Sequence, residues 1–150
     1  MEKFPTLRDA PIHKSLPPSQ LKALRSLESL ISDLVSSEEF ECLVRLNDWG
    51  SRWGHCRVAS EALQILAWTT LNIYLVTENY VDAPLSHWFT VEPLSREIFD
   101  PTAFQFVGAM PSGLYDDAVP RGIQSRISDH PYTRSPATQA LIDIVNSANA

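Results

Sequence analysis

Cysteine and histidine, the side chains best suited to nucleophilic and base chemistry near neutral pH, are scarce here: two cysteines and four histidines in 150 residues. Cys56 stands at a junction. Before it runs Asn47-Asp48-Trp49-Gly50-Ser51-Arg52-Trp53-Gly54, a stretch of turn residues that reads as a structured loop. After it, Val58, Ala59, Ala62, Leu63 and Leu66 recur at helical spacing, which predicts a helix from about Cys56 to Trp68. A cysteine attacks as thiolate, and both a helix N-terminus and a neighbouring imidazolium favour that form.

A base and an orienter lie downstream. Ser86 to Val91 alternates, so that His87, Phe89 and Val91 point one way and Ser86, Trp88 and Thr90 the other. Asp100 ends a short strand expected over 97–99. A hairpin between these strands sets the two side by side. Asp100 then accepts from one ring nitrogen of His87, and the other nitrogen faces Cys56. If Asp100 serves only its Asp-Pro turn, Asn79 and Glu92 are the next candidates for the third group.

Plainer roles compete. Cys56 could be core, as is expected of Cys42 on its apolar helix, and His87 a satisfied sheet histidine. His55 is expected at the rim of the cleft, and Trp88 to pack away from His87. His55, Cys56, His87 and His130 match no zinc-ligand spacing, and no phosphate-binding glycine motif occurs, so neither metal nor cofactor is expected.

These residues carry a resemblance. Gly54-His55-Cys56-Arg57-Val58-Ala59-Ser60 resembles the G-x-C-x-x-x-S opening of the nucleophile helix in papain-like enzymes. Ser86-His87-Trp88-Phe89-Thr90-Val91, followed by Asp100-Pro101-Thr102-Ala103-Phe104-Gln105-Phe106, is similar to the histidine and D-P-T blocks of papain-like and transglutaminase-like proteins, including toxin and effector domains. The likeness spans Trp53 to about Val107. It implies a Cys56–His87–Asp100 triad, a thioester intermediate and a protein or peptide substrate. The activity would be that of a peptidase, a glutamine deamidase or a transglutaminase-like enzyme. Papain-type proteases place an oxyanion-hole glutamine six residues before the cysteine, and Gly50 occupies that position here. The oxyanion donors are then expected from the Cys56 backbone amide with Asn47, Ser51 or another amide. The alternative is a catalytically inactive papain-like scaffold that binds a peptide, using the Trp49–Trp53 loop and residues 108–134.

The surrounding elements follow from periodicity. Residues 1–18 are punctuated by prolines and predict an extended arm. Ser19 is the expected N-cap of a helix carrying Leu21, Leu24, Leu27, Ile31, Leu34 and Val35. A second helix starts near Glu38. The pattern then shifts to strands: Asn72–Thr77, Ser86–Val91 and 97–99, with Phe104 and Phe106 a candidate continuation of the last. Residues 108–134 read as a long loop, and Ser135-Pro136 opens a terminal helix through Leu141, Ile142 and Val145. Helices first, then strands, then a closing helix predict a single α+β domain over 1–150 with a small antiparallel sheet; the resemblance implies that this domain is papain-like, with the nucleophile helix packed on the sheet. The cleft walls are expected from 47–55, 79–86 and 108–134.

Composition narrows the function classes. Hydrophobic residues make up 44% and charged residues 20%, the balance of a globular chain. The net charge of -6 argues against nucleic acid as partner, because phosphates call for a basic face. The sequence has no run long and apolar enough to span a membrane and no secretory signal at its N-terminus, so a cytoplasmic setting is expected.

Overall fold

The computed structural model describes residues 4–6, 10, 15–47, 55–106, 108, 110–125 and 134–148. Helix α1 (Pro18–Val35) buries Leu24, Leu27, Ile31 and Val35 at spacings of three and four. It begins one residue before Ser19, with Pro17 at the N-cap and no side-chain cap. Proline suits the first helical position because its missing N–H would have had no helical partner there. Helix α2 (Glu38–Leu46) is capped by Ser37, whose Oγ accepts from the Phe40 amide at 3.2 Å. Its buried face holds Phe40 and Val44. Cys42 lies off that face and is exposed, contrary to the core position expected for it.

Helix α3 (His55–Leu71) is central, meeting α1, the sheet and the terminal helix α4 (Pro136–Ala148). Eleven of its residues are buried, from His55 and Cys56 to Ala67. Asn72 ends it at φ 56, a left-handed conformation that asparagine tolerates, and the Ile73 amide reaches back to Ala67 O at 2.9 Å. The predicted strand over 72–77 is therefore displaced. Ile73, Tyr74 and Leu75 form a buried link, and strand β1 runs Val76–Asp82.

Strand β2 (Leu85–Val91) pairs with β1 as an antiparallel hairpin, with Tyr80 opposite His87 and Glu78 opposite Phe89. Strand β3 (Ile98–Phe99) adds to β2, and β4 (Val119–Pro120) adds to β1, giving the order β3-β2-β1-β4. Phe104 and Phe106 do not extend β3. Proline at 101 lacks a ladder donor, the chain turns, and a 3-10 turn covers Ala103–Gln105. The expected long loop is structured in part, holding β4 and a second 3-10 turn at Ile123–Ser125. Ser135 caps α4 as expected, accepting from the Thr138 amide at 3.1 Å.

An apolar cluster joins α1, α2, α3 and α4 with Ile73, Leu75, Phe99 and Ile123. A buried polar network fixes α3 against the sheet. Gln64 donates to Leu75 O (3.0 Å) and Gln124 Oε1 (2.6 Å) and accepts from Thr77 Oγ1 (2.7 Å). Gln124 donates in turn to Thr77 O at 2.9 Å. Such a network sets helix and strand in one register, since a shift leaves buried polar groups without partners. The expected arm is tied down at its start, where the Tyr74 hydroxyl donates to Pro5 O at 2.9 Å and Phe4 stacks on Tyr74. The architecture is α+β with a small antiparallel sheet. Among the described residues, no helix is long and apolar enough to cross a membrane.

Candidate active site

Cys56 is the second residue of α3 and is buried. The first amides of a helix have no intrahelical acceptor and carry the positive end of its dipole. Arg57, the next residue, holds its guanidinium 5.0 Å over the Trp88 ring and pairs with buried Glu61 at 3.0 Å. Glu61 also accepts from Thr138 of α4 at 3.2 Å, which anchors the start of α3 from a second side.

The β1–β2 hairpin carries His87, 1% exposed. Its Nε2 lies 2.7 Å from Asp100 Oδ2, and Cys56 lies near enough to the ring to raise its pKa. With Nε2 on Asp100, Nδ1 is the nitrogen left for the sulfur. The Phe106 ring stands edge-on to the imidazole at 4.8 Å, and the Phe89 ring lies parallel at 6.2 Å. Burial among these groups works to lower the imidazolium pKa. The bond to Asp100, the nearby Cys56 and the charges of both outweigh it, and the pKa is pushed up to about 9.

Asp100 is held on every side. Oδ2 accepts from His87 and from the Tyr115 hydroxyl at 2.8 Å. Oδ1 accepts from the Thr102 amide at 3.2 Å and faces its hydroxyl at 3.4 Å. The turn that proline at 101 imposes thus supplies the carboxylate with a backbone donor. The Asp100 amide donates to Glu28 Oε2 of α1 at 2.7 Å. Arg25 steadies Glu28 at 2.9 Å, donates to Ile98 O at 3.0 Å and lies 4.1 Å over the Phe99 ring. Helix α1 therefore grips the end of β3 where Asp100 sits.

The three residues singled out from the sequence are brought together: Cys56 from α3, His87 from β2 and Asp100 after β3. Asn79 and Glu92 are committed elsewhere. Asn79 donates to Ser86 Oγ and His87 O, both at 3.1 Å, while Glu92 receives the amides of Leu94 and Ser95. Asn47 is exposed, and its side-chain amide closes α2 on Leu43 O at 2.8 Å, which ties it away from an oxyanion role. Ser51, Gly50, Gly54, Trp49, Trp53 and His130 lie outside the described residues. His55 is not at a rim; it is buried with its ring edge-on to Phe40 at 5.6 Å. Trp88 points away from His87, under Arg57, as expected from strand alternation.

Sequence reasoning missed Tyr115, Glu28, Arg25 and Phe106 as parts of this site. Tyr115 sits in a stretch without periodicity. Glu28 and Arg25 occupy ordinary solvent-side positions of an amphipathic helix. Only a contact between elements far apart in the chain reveals them. Burial, and then the charge and hydrogen bond of Asp100, raise the Tyr115 phenol well above its ordinary range, so it remains a proton donor to the carboxylate. Among the described residues, no group of three His, Cys, Asp or Glu could hold a metal ion.

The arrangement can hold a thiol, an imidazolium and a carboxylate in one hydrogen-bonded line. Comparisons of the chain with models of known families, with curated proteins and with solved structures each found no match.

Proposed function

We propose that the chain is a cysteine-dependent acyl-transfer enzyme with a papain-like or transglutaminase-like fold, acting on amide bonds of a protein or peptide. The observation that carries this reading is the line Cys56–His87–Asp100, with the cysteine at a helix start and the histidine held at 2.7 Å by a buried carboxylate.

In the proposed cycle the Cys56 sulfur attacks the amide carbonyl carbon as thiolate, and the carbonyl oxygen becomes an oxyanion. The Cys56 backbone amide, second in α3, is one donor to that oxyanion. His87 passes the Nδ1 proton to the departing nitrogen, the C–N bond breaks and a thioester forms. Neutral His87 then takes a proton from the acceptor, whose oxygen or nitrogen attacks the thioester and releases the thiolate. Water as acceptor gives a carboxylate, the outcome of a peptidase or a glutamine deamidase. An amine gives a transglutaminase-like product. Asp100 keeps Nε2–H toward itself, which reserves Nδ1 for these transfers. The reaction requires Cys56 as a free thiol, hence a reducing, cytoplasmic type of setting.

The test is mass spectrometry of candidate proteins incubated with wild type and with Cys56→Ala. A gain of about 1 Da per site means deamidation, chain scission means proteolysis, and amine adducts mean transglutamination, each absent with the variant. Identical products from both proteins would refute the reading. Burial of Cys56 and His87 favours a second one, a papain-like scaffold without turnover that binds a peptide. It predicts that Cys56 reacts no faster than an ordinary buried thiol.

A further inference from the structure

We propose that Tyr115 is a positioning residue of this site: by sharing Asp100 Oδ2 with His87, it sets how tightly the carboxylate holds the imidazolium. This rests on the acyl-transfer reading of the site. The Tyr115 hydroxyl donates to Oδ2 at 2.8 Å, and His87 Nε2 meets the same oxygen at 2.7 Å. Two charge-assisted bonds on one buried oxygen compete for its charge. The O–H dipole puts its positive end beside Oδ2 and weakens the negative potential felt at the imidazole.

The other groups around His87 do not duplicate this effect. Cys56 approaches from α3, and Tyr80 stands opposite on β1 with its hydroxyl directed at Asp82 (3.5 Å). Glu28 from α1 reaches Asp100 through the backbone amide, not the carboxylate. Thr102 donates to the other oxygen. Asp100 therefore keeps its orientation when the Tyr115 hydroxyl is removed, because Thr102 and Glu28 still hold it. What changes is the charge left on Oδ2. His87 then binds its proton more firmly and becomes a slower acid toward the leaving nitrogen.

Tyr115→Phe isolates this role, since the ring can keep its edge-on contact with Phe89 at 4.8 Å. The readouts are the histidine NMR titration of His87, which needs no substrate, and turnover of a substrate found as above. The expected result is an upward move of the His87 midpoint by on the order of one pH unit, with kcat lowered about tenfold and KM little changed. Tyr115→Leu should raise the midpoint likewise while also lowering the melting temperature, because it loses the ring contact. If Tyr115→Phe folds and leaves the His87 midpoint where it is in wild type, the proposal is overturned. If the midpoint moves but neither protein turns over any substrate, the acyl-transfer reading fails and the electrostatic role of Tyr115 stands.

Discussion

Asp100→Asn is the substitution whose consequence the hydrogen-bond geometry fixes most closely. Every group facing the carboxylate is a donor: His87 Nε2 and Tyr115 Oη at Oδ2, the Thr102 amide and hydroxyl at Oδ1. Asparagine offers one acceptor oxygen and one NH2 group. The NH2 cannot face the Thr102 amide, which has no way to become an acceptor. It must face His87 and Tyr115. Tyr115 can rotate its hydroxyl, and His87 can accept at Nε2 only by moving its proton to Nδ1. That tautomer presents N–H to Cys56 and removes the base. The carboxylate charge that opposes burial is lost as well, so the His87 midpoint falls from about 9. The stability cost is the weakening of charge-assisted bonds, about 1–3 kcal/mol, or roughly 2–4 °C of melting temperature for each kcal/mol in a chain of this size. Turnover should drop far more, about 10³–10⁴-fold, as expected when the orienting carboxylate of a triad becomes an amide. Thermal unfolding and turnover measured on the same preparation decide it. A variant that melts early but keeps wild-type turnover per folded molecule would refute the reasoning and reduce Asp100 to a turn residue.

Three further outcomes follow from the same geometry. His87 has a folded pKa near 9, above its unfolded value of 6.5. The site's contribution to stability is thus complete below pH 6.5 and lost as pH rises through about 9, a difference on the order of 3 kcal/mol; unfolding at pH 6 and pH 10 should show it in wild type and not in His87→Gln. Glu28→Ala removes the acceptor of the Asp100 amide, and leaving that donor without it costs about 1–3 kcal/mol; calorimetry should find the loss, together with slower turnover as Asp100 loosens. Ser135→Ala deletes the α4 cap and should cost about 1 kcal/mol in the same assay while leaving Cys56 reactivity unchanged.

The parts of the structure legible in the sequence are those written in local pattern. Leu24, Leu27, Ile31 and Val35 repeat with the helix period and are buried on α1. The alternation of His87, Phe89 and Val91 marks β2, and all three are buried. The order of glycine-rich loop, cysteine and apolar run places Cys56 in the first turn of α3. Only Val76 and Thr77 of strand β1 fall within the expected strand, because the middle of β1 is polar: Glu78 and Asn79 lack an apolar signal, yet both are buried. Arg96, eighteen positions away, forks onto Glu78 at 2.9 and 3.1 Å, and β4 covers the strand's outer edge. The apolar Ile73-Tyr74-Leu75 stretch drew the prediction toward itself instead. Cys42 was misplaced for a simpler reason: with Phe40 and Val44 inward, a residue midway between them on a helix faces away. Around Asp100 the Asp-Pro-Thr turn was visible in the sequence, but its partners Tyr115 and Glu28 come from unrelated segments. No local pattern encodes such contacts.

The most direct test of the central claim is the rate at which an alkylating agent labels each cysteine at pH 6, read by peptide mass mapping. Cys42 is exposed and Cys56 buried, so ordinary thiol chemistry makes Cys42 the faster. A thiolate–imidazolium pair reverses that order. The expected result is that Cys56 outpaces Cys42 in wild type and loses the advantage in His87→Ala; labelling of Cys42 first in wild type would contradict the proposed nucleophile.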